Sequence, residues 1–316
     1  MAVYTPVSAE ALQAFLRGFD VGEGVAHKGI AEGIENSNFL VITTRSRYIL
    51  TLYEKRVAAA DLPFFFDLID HLAEAGLPVP RAVPDRKGER IQELEGRPAC
   101  LIEFLPGLSV SRPTPAQARS AGAAMGRMHA ASVTFGQRRA NGLGVDSWRP
   151  LMERCAPGMD EIAPGLRDRV ARALDGIEAA WPRDLPRGAI HADLFPDNVL
   201  MLGDEVSGLI DFYFACTDLR AYDLAVMHGA WAFDASGSRY DEGVGRALVE
   251  GYASAFPLSA EERAALPVLA RGACVRFLLT RAWDWLNTPA DALVTRKDPL
   301  AYLRRLESYE REDVFA

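Results

Sequence analysis

The ten residues His-Ala-Asp-Leu-Phe-Pro-Asp-Asn-Val-Leu at 191–200 combine side chains that can move a proton with side chains that can hold a metal ion. Asp193 precedes Asn198 by five positions, and Asp211 follows at the end of the apolar run Leu209-Ile210. This spacing is typical of a phosphotransferase catalytic loop, in which the first carboxylate accepts a proton from the attacking hydroxyl. We therefore predict Asp193 as a catalytic base, and Asn198 and Asp211 as ligands of Mg²⁺.

The segment after the loop predicts how the third residue reaches the other two. The β-forming runs 199–202 and 206–210 flank Gly203-Asp204, a pair that suits the turn of a hairpin. Such a hairpin would return Asp211 to the loop, and Mg²⁺ needs few protein ligands besides phosphate and water. A polar loop with a capping Asp is the alternative interpretation, and the hairpin argues against it.

The surrounding elements form two regions. Ser8 is a good N-cap for a first helix, and the runs 39–42, 48–53, 91–94 and 99–104 read as strands around a helix at 61–75. After Thr114 the pattern is mostly helical, with helices predicted near 118–128, 166–177, 222–231, 240–255, 261–285 and 299–309. We predict an α+β fold with a small, antiparallel β-rich lobe at 1–105 and a larger, mainly helical lobe at 106–316.

Composition excludes several classes of partner. The chain has 35 basic and 43 acidic residues among 316, and the net charge of −8 argues against nucleic acid or an anionic membrane surface. No apolar run is long enough to span a membrane, and no signal peptide is evident. The four cysteines form no CxxC pair and predict buried free thiols in a reducing cytoplasm.

The catalytic-loop spacing and this organisation resemble the aminoglycoside phosphotransferase and choline kinase family over most of the chain. The resemblance implies a bilobal, protein-kinase-like fold and ATP-dependent phosphorylation of a small molecule. Further segments resemble the bacterial homoserine kinase branch of that family, which implies L-homoserine as the acceptor in a step towards threonine. These segments are 33–39, 48–54, 61–65, Asn141 and Trp148-Arg149-Pro150.

The resemblance also implies a nucleotide site. By position, the hinge that receives adenine comprises Ile102, Glu103, Phe104 and Leu105, and phosphate contacts come from Gly33, Asn38 and Thr51. Relatives place a Lys or Arg where Thr51 stands, so this strand brings no charge to the phosphates. We hypothesise that Lys28 or Lys55 supplies that charge from another direction. For the loop around Gly33, a turn that only connects two strands is the alternative.

An amino-acid acceptor requires at least one carboxylate and one guanidinium in its site. The candidates are Asp197, Asp223, Arg281 and Trp283. Structural roles remain open for three of them, because Asp197 could stabilise the loop, Asp223 could brace a helix and Trp283 could be a core or surface aromatic. His191 is interpreted as a brace of the loop. Choline, ethanolamine, a sugar or an aminoglycoside remains an alternative acceptor, and a nucleotide-binding pseudokinase is a further alternative.

Overall fold

The computed structural model describes residues 5–30, 36–54, 59–288, 296–312 and 314–315. The chain divides into two compact units, Met1–Pro106 and Gly107–Ala316. The first unit holds an antiparallel sheet with two helices, and the second is mainly helical. The α+β class predicted from the sequence is therefore confirmed.

A six-stranded sheet forms the centre of the first unit. Its strand order is β1-β2-β3-β6-β4, with β5 also paired to β6, and every pairing is antiparallel. The elements of this unit are α1 (Ala9–Leu16), β1 (Gly24–Ile30), β2 (Asn36–Thr43), β3 (Arg47–Tyr53), α2 (Leu62–Glu74), β4 (Ala82–Val83), β5 (Gln92–Leu94) and β6 (Arg97–Glu103).

The two faces of β3 have different environments because side chains alternate along a strand. Leu50 and Leu52 are fully buried in a core that includes Leu12 and Leu16 of α1. Thr51 points to the other face of the sheet, away from this core.

The hydroxyl of Ser8 accepts a hydrogen bond from the Ala11 N–H at 3.1 Å, which confirms Ser8 as the cap of α1.

The second unit contains two small antiparallel pairs of strands among its helices. β7 pairs with β10, and β8 forms a hairpin with β9. The elements are α3 (Pro115–Ser132), α4 (Val145–Ile162), α5 (Leu166–Ala180), β7 (Arg187–Ile190), β8 (Val199–Leu202), β9 (Glu205–Leu209), β10 (Cys216–Leu219), α6 (Arg220–Trp231), α7 (Glu242–Ala255), α8 (Ala260–Asn287) and α9 (Leu300–Arg311).

Helix α6 lies in the core of the second unit. Each of its residues after Arg220 is buried, so the helix is covered on all sides.

The four cysteines are also buried and unbridged, as predicted. Within the described ranges, no helix is both long and apolar enough to cross a membrane.

Helices α3 and α7 approach each other closely because glycines lie at their contact. A Cβ at Gly122 would overlap the Leu248 carbonyl, and one at Gly251 would overlap the Arg119 carbonyl. This contact places the hydroxyl of Tyr252 on α7 2.8 Å from Nδ1 of His129 on α3. The glycines therefore set the position of a buried histidine that bears on the site described below.

Four elements were not predicted. β4 has only two residues, and β1, which contains Lys28, has glycines at positions 24 and 29 that obscure its pattern. Helix α4 contains Pro150 and Pro157, which normally interrupt a helix. β10 has only four residues, and its pairing with β7 depends on a contact distant in sequence.

Acid stability should depend on His228, which is buried with Nδ1 2.7 Å from the Tyr309 hydroxyl. Burial lowers the pKa of His228 from 6.5 to about 3, so the unfolded chain binds a proton that the folded chain does not. The free energy of unfolding should therefore fall as the pH drops below about 6.5. The slope attributable to one such proton is at most about 1.4 kcal/mol per pH unit.

In His228→Gln this contribution disappears, and the pH dependence of the free energy of unfolding between pH 6.5 and 5 should become shallower. Urea unfolding at several pH values measures this slope for the wild type and for the variant. Because only the slopes are compared, a loss of stability in the variant at pH 7.5 does not affect the test. His71→Gln, in the first unit, serves as the control. Equal slopes for the wild type and His228→Gln would contradict the prediction.

Candidate active site

The loop 191–198 holds the predicted base beside the first predicted metal ligand. Nδ2 of Asn198 donates a hydrogen bond to the backbone oxygen of Asp193 at 2.8 Å and lies 3.5 Å from its Oδ2. This bond fixes the amide and leaves the Asn198 side-chain oxygen to accept from, or coordinate, another group. The side chain of Asp193 is half-buried.

The β8–β9 hairpin returns the chain to this loop. The N–H of Ile210 donates to the backbone oxygen of Asn198 at 3.0 Å, and Asp211 is the next residue. Asp211 is exposed and has a φ of 65°, a conformation that non-glycine residues rarely adopt. The hairpin thus brings the three predicted residues to one region, and backbone strain of this kind is often found at functional sites.

His191 connects the two halves of the site. Its Nε2 donates to the backbone oxygen of Ile210 at 2.9 Å, and its Nδ1 accepts the N–H of Asp193 at 3.3 Å. Burial lowers the pKa of His191, so the ring is neutral. Both nitrogens are therefore occupied by backbone groups, and this geometry supports the interpretation of His191 as a brace.

A buried carboxylate on α6 holds the start of the loop. Oδ2 of Asp223 accepts from the backbone N–H of His191 at 2.8 Å, and Oδ1 accepts from that of Ala192 at 2.7 Å. Nε2 of His129 donates to Oδ2 at 3.0 Å. Burial alone would raise the pKa of Asp223, but the hydrogen bond and charge of His129, together with the interactions of His191, lower it below the usual value. The carboxylate therefore stays ionised.

Two side chains that the sequence analysis missed hold loop carbonyl groups. The guanidinium of Arg276 donates to the backbone oxygen of Ala192 at 2.6 Å, and the indole of Trp231 donates to that of Leu194 at 3.0 Å. Arg276 is only 2 % exposed. Its signal in the sequence is a single charge inside the apolar run 272–279 of α8.

The candidate phosphate contacts lie on the face of the first sheet that turns away from its core. Oγ1 of Thr51 donates to Oδ1 of Asn38 at 2.8 Å. Lys28 pairs with Leu40 in the β1–β2 register, which places it on the same face as Asn38 and Thr51. Lys28 is exposed. Gly33 and Lys55 lie outside the described residues.

The predicted hinge residues follow one another at the end of β6. Ile102 and Glu103 are the last residues of the strand, and Phe104 and Leu105 come directly after it. The N–H of Glu103 donates to the Arg81 backbone oxygen at 3.0 Å. The guanidinium of Arg47 lies 4.6 Å from the centre of the Phe104 ring. The role of these residues in binding adenine stays a prediction.

The four candidate acceptor contacts have different surroundings. Asp197 is exposed in the turn that ends the loop. Asp223 is fully buried and has three protein donors around it, so we assign it to the loop rather than to the acceptor. Arg281 lies over the ring of Tyr302 on α9, whereas Trp283 lies 3.9 Å from the guanidinium of Arg154 on α4. Among the described residues, the guanidinium of Arg281 and the ring of Trp283 therefore contact different helices.

An aromatic and cationic cluster adjoins the loop that carries Asp193, the predicted base. Phe195, two residues after Asp193, packs its ring 5.0 Å from that of Phe277, which stacks on Tyr302 at 5.0 Å. Arg281 lies 4.6 Å over Tyr302, and Nζ of Lys297 lies 5.9 Å from the Phe195 ring centre. Burial lowers the pKa of Arg281, and the nearby charge of Asp193 partly opposes that shift.

The donor set fits a magnesium ion that is completed by phosphate oxygens. In the described part of the chain, no three His, Cys, Asp or Glu side chains converge as a metal site. One amide oxygen and one exposed carboxylate, from Asn198 and Asp211, are the hard donors that Mg²⁺ prefers, and the remaining positions go to phosphate and water.

Two solved structures of small-molecule kinases share the fold of this chain. An amicoumacin kinase, solved with AMP-PNP, Ca²⁺ and amicoumacin, aligns with a TM-score of 0.70 at 14% identity over 96% of this chain and 94% of its own. A microcompartment-associated aminopropanol kinase aligns with a TM-score of 0.65 at 21% identity over 96% and 97%. The fold is therefore the protein-kinase-like fold of small-molecule phosphotransferases.

Sequence comparison identifies the family. Residues 26–258 match the model of the phosphotransferase enzyme family. A homoserine kinase of Xanthobacter autotrophicus is 54% identical over 99% of this chain and 97% of its own length, and one of Acidiphilium cryptum is 56% identical over 97% and 96%. The chain belongs to the phosphotransferase enzyme family, as the loop spacing predicted.

The loop clamp makes a testable prediction. In Asp223→Asn an amide N–H₂ replaces one acceptor oxygen, so at least one of the three donors loses its partner. Turnover should fall about 10²-fold, because misplacing a catalytic group by about 1 Å has an effect of that size. Steady-state kinetics and thermal unfolding measure the two effects. Asp241→Asn, at the exposed cap of α7, is the matched control. Normal turnover in a folded Asp223→Asn protein would contradict the clamp.

Proposed function

We propose that this protein transfers the γ-phosphate of ATP to the side-chain hydroxyl of L-homoserine, a step towards threonine. The observation that carries the proposal is the identity of 51–56% to proteins named homoserine kinase, over nearly the full length of each chain. Because the alignments cover 97–99% of this chain, they include the catalytic loop, the hairpin and α8. Four buried free thiols fit a reducing compartment, and we place the reaction in the cytoplasm.

In the proposed reaction the carboxylate of Asp193 accepts the proton of the acceptor hydroxyl. The oxygen then bonds to the γ-phosphorus while the bond from that phosphorus to the bridging oxygen of ADP breaks. Asn198 and Asp211 would hold Mg²⁺, which when bound neutralises charge on the β- and γ-phosphates. Asp223, Arg276 and Trp231 fix the loop backbone, so Asp193 need not reorganise during the step.

We propose that the acceptor lies against the cluster formed by Phe195, Phe277, Tyr302, Arg281 and Lys297. Arg281 is half-buried and has its guanidinium over a ring, with a backbone oxygen of Asp298 as a hydrogen-bond partner at 3.2 Å. It retains donors for the α-carboxylate of an amino acid. Asp197, exposed in the same loop as Asp193, is the carboxylate we assign to the ammonium group.

An acceptor panel tests the function. ADP release should be rapid with L-homoserine and at background with choline, ethanolamine, aminoglycosides and sugars. Turnover with choline or ethanolamine instead would select the alternative acceptor, and ATP binding without any turnover would indicate a pseudokinase.

In the same assay Arg281→Gln should raise KM for homoserine about tenfold or more, the usual effect of losing a charged hydrogen bond, with KM for ATP unchanged. Arg263→Gln, exposed on the first turns of the same helix, is the control.

Two substitutions separate the base from the metal ligand. Asp193→Asn should nearly abolish turnover while the affinity for Mg-ATP stays within about threefold, because the carboxylate acts on the acceptor. Asp211→Ala should weaken Mg-ATP itself, since it removes a ligand of the ion. Calorimetric titration with Mg-AMP-PNP measures both affinities. Equal loss of nucleotide binding in the two variants would contradict the division of roles.

Lys28 is the candidate for the charge missing at Thr51. Because Lys28 shares a sheet face with Thr51 and Asn38, Lys28→Ala should weaken ATP binding about tenfold. Lys87→Ala, which removes an exposed charge from a turn in the same unit, should leave it unchanged. An unchanged affinity in Lys28→Ala would rule out Lys28 and leave Lys55 to be tested.

A further inference from the structure

A cavity of about 220 Å³ lies in the second unit where the end of α3, β7 and the start of α6 meet. Three arginines line it, Arg138, Arg187 and Arg220, and His129 contributes its buried side chain. No acidic residue is among the described residues that line the cavity. In a chain of net charge −8, this is a local concentration of positive charge. We call it the arginine cavity.

Two of the three arginines keep their charge without a carboxylate partner. Arg187 pairs with Asp218 at 3.2 Å. Across the described ranges, by contrast, no ion pair to a carboxylate is found for Arg138 or Arg220. The guanidinium of Arg220 lies 4.6 Å over the ring of Phe256, an interaction that leaves its charge in place.

Arg220 also has a donor without an acceptor. Its Nε is buried and makes no hydrogen bond in the structure. An unsatisfied buried donor costs about 1–3 kcal/mol, so an acceptor from a bound ligand would stabilise this arrangement. Arg220 is also the first residue of α6, which begins without a side-chain cap, so the positive end of a 12-residue helix dipole adds to the cavity.

The same cavity touches the support of the catalytic loop. His129, which lines it, donates from Nε2 to Asp223 at 3.0 Å, and Asp223 accepts the N–H groups of His191 and Ala192 at 2.8 and 2.7 Å. Two hydrogen-bond steps therefore connect a cavity residue to the backbone immediately before Asp193. Ligand contacts that shift His129 would act on that backbone.

We propose that the arginine cavity binds a small phosphate-bearing anion, either inorganic phosphate or a phosphate monoester, and that occupation changes turnover through His129 and Asp223. Guanidinium groups match phosphate oxygens in pairs, and the volume accommodates a phosphate with a short carbon chain. The binding half of this proposal is independent of the acceptor identity, because the cavity residues are distinct from those assigned to catalysis and acceptor binding.

Calorimetric titration with inorganic phosphate tests whether the arginine cavity binds phosphate. Saturating Mg-AMP-PNP occupies the nucleotide site, and ionic strength is held constant with chloride. The wild type should bind one phosphate per chain, and Arg138→Ala and Arg220→Gln should each weaken that binding tenfold or more. Arg138 is exposed, so its substitution leaves the core unchanged. Arg127→Ala, an exposed change on α3 outside the cavity, is the control and should bind as the wild type does.

Absence of phosphate binding to the wild type at millimolar concentration, or equal binding by all four proteins, would overturn the site. No acceptor is present in this titration, so its failure is distinct from failure of the proposed function.

Turnover at saturating ATP and acceptor, measured with phosphate against chloride at equal ionic strength, tests the coupling. Phosphate should change the wild-type and Arg127→Ala rates at least twofold. The rates of Arg138→Ala and His129→Gln, each normalised to its own phosphate-free rate, should not respond. His129→Gln should still bind phosphate, which separates coupling from binding. A site that binds phosphate while the wild-type rate stays constant would overturn the coupling.

Discussion

The loop that carries the predicted base depends on one buried ion. The Asp223 carboxylate has no exposed surface, and an unpaired charge in that position would cost several kcal/mol. Three donors compensate it, two from the loop backbone and one from His129. Since Asp223 belongs to a helix that is buried on all sides, the loop is anchored to the packed core of the second unit. The position of Asp193 therefore depends on the packing of α6.

The clamp also explains how unfavourable backbone conformations persist. Ala192 and Asp211 have φ values of 64° and 65°, each of which costs about 1–2 kcal/mol for a residue with a Cβ. Ala192 is held by Asp223 at its N–H and by Arg276 at its carbonyl, and Asp211 follows a residue held by His191. The surrounding hydrogen bonds therefore fix these conformations next to the predicted base and at the predicted metal ligand, and backbone strain of this kind is often found at functional sites.

The sequence predicted those parts of the arrangement whose residues lie close together along the chain. The spacing of Asp193, Asn198 and Asp211 predicts a loop and hairpin because all three lie within one short segment, and the long helices have clear apolar periodicity. The supports were not predictable in the same way. Arg276 reaches Ala192 across 84 positions, and His129 reaches Asp223 across 94. Such pairings are set by helix packing, and the small-residue contact between α3 and α7 gives only a weak signal in one sequence.

Overall charge is also a poor guide to the position of binding sites. A net charge of −8 does not predict where the protein accommodates anions, because the decisive charges are those left unneutralised. Several guanidinium groups of the second unit lie over aromatic rings, among them Arg220 on Phe256, Arg276 on Phe277 and Arg281 on Tyr302. A ring covers the apolar surface of a guanidinium and attracts its charge without cancelling it, whereas a carboxylate neutralises it. An acidic chain can thus hold cationic sites beside its catalytic loop, and it is the pairing of each arginine, rather than the number of arginines, that determines where phosphate or carboxylate can bind.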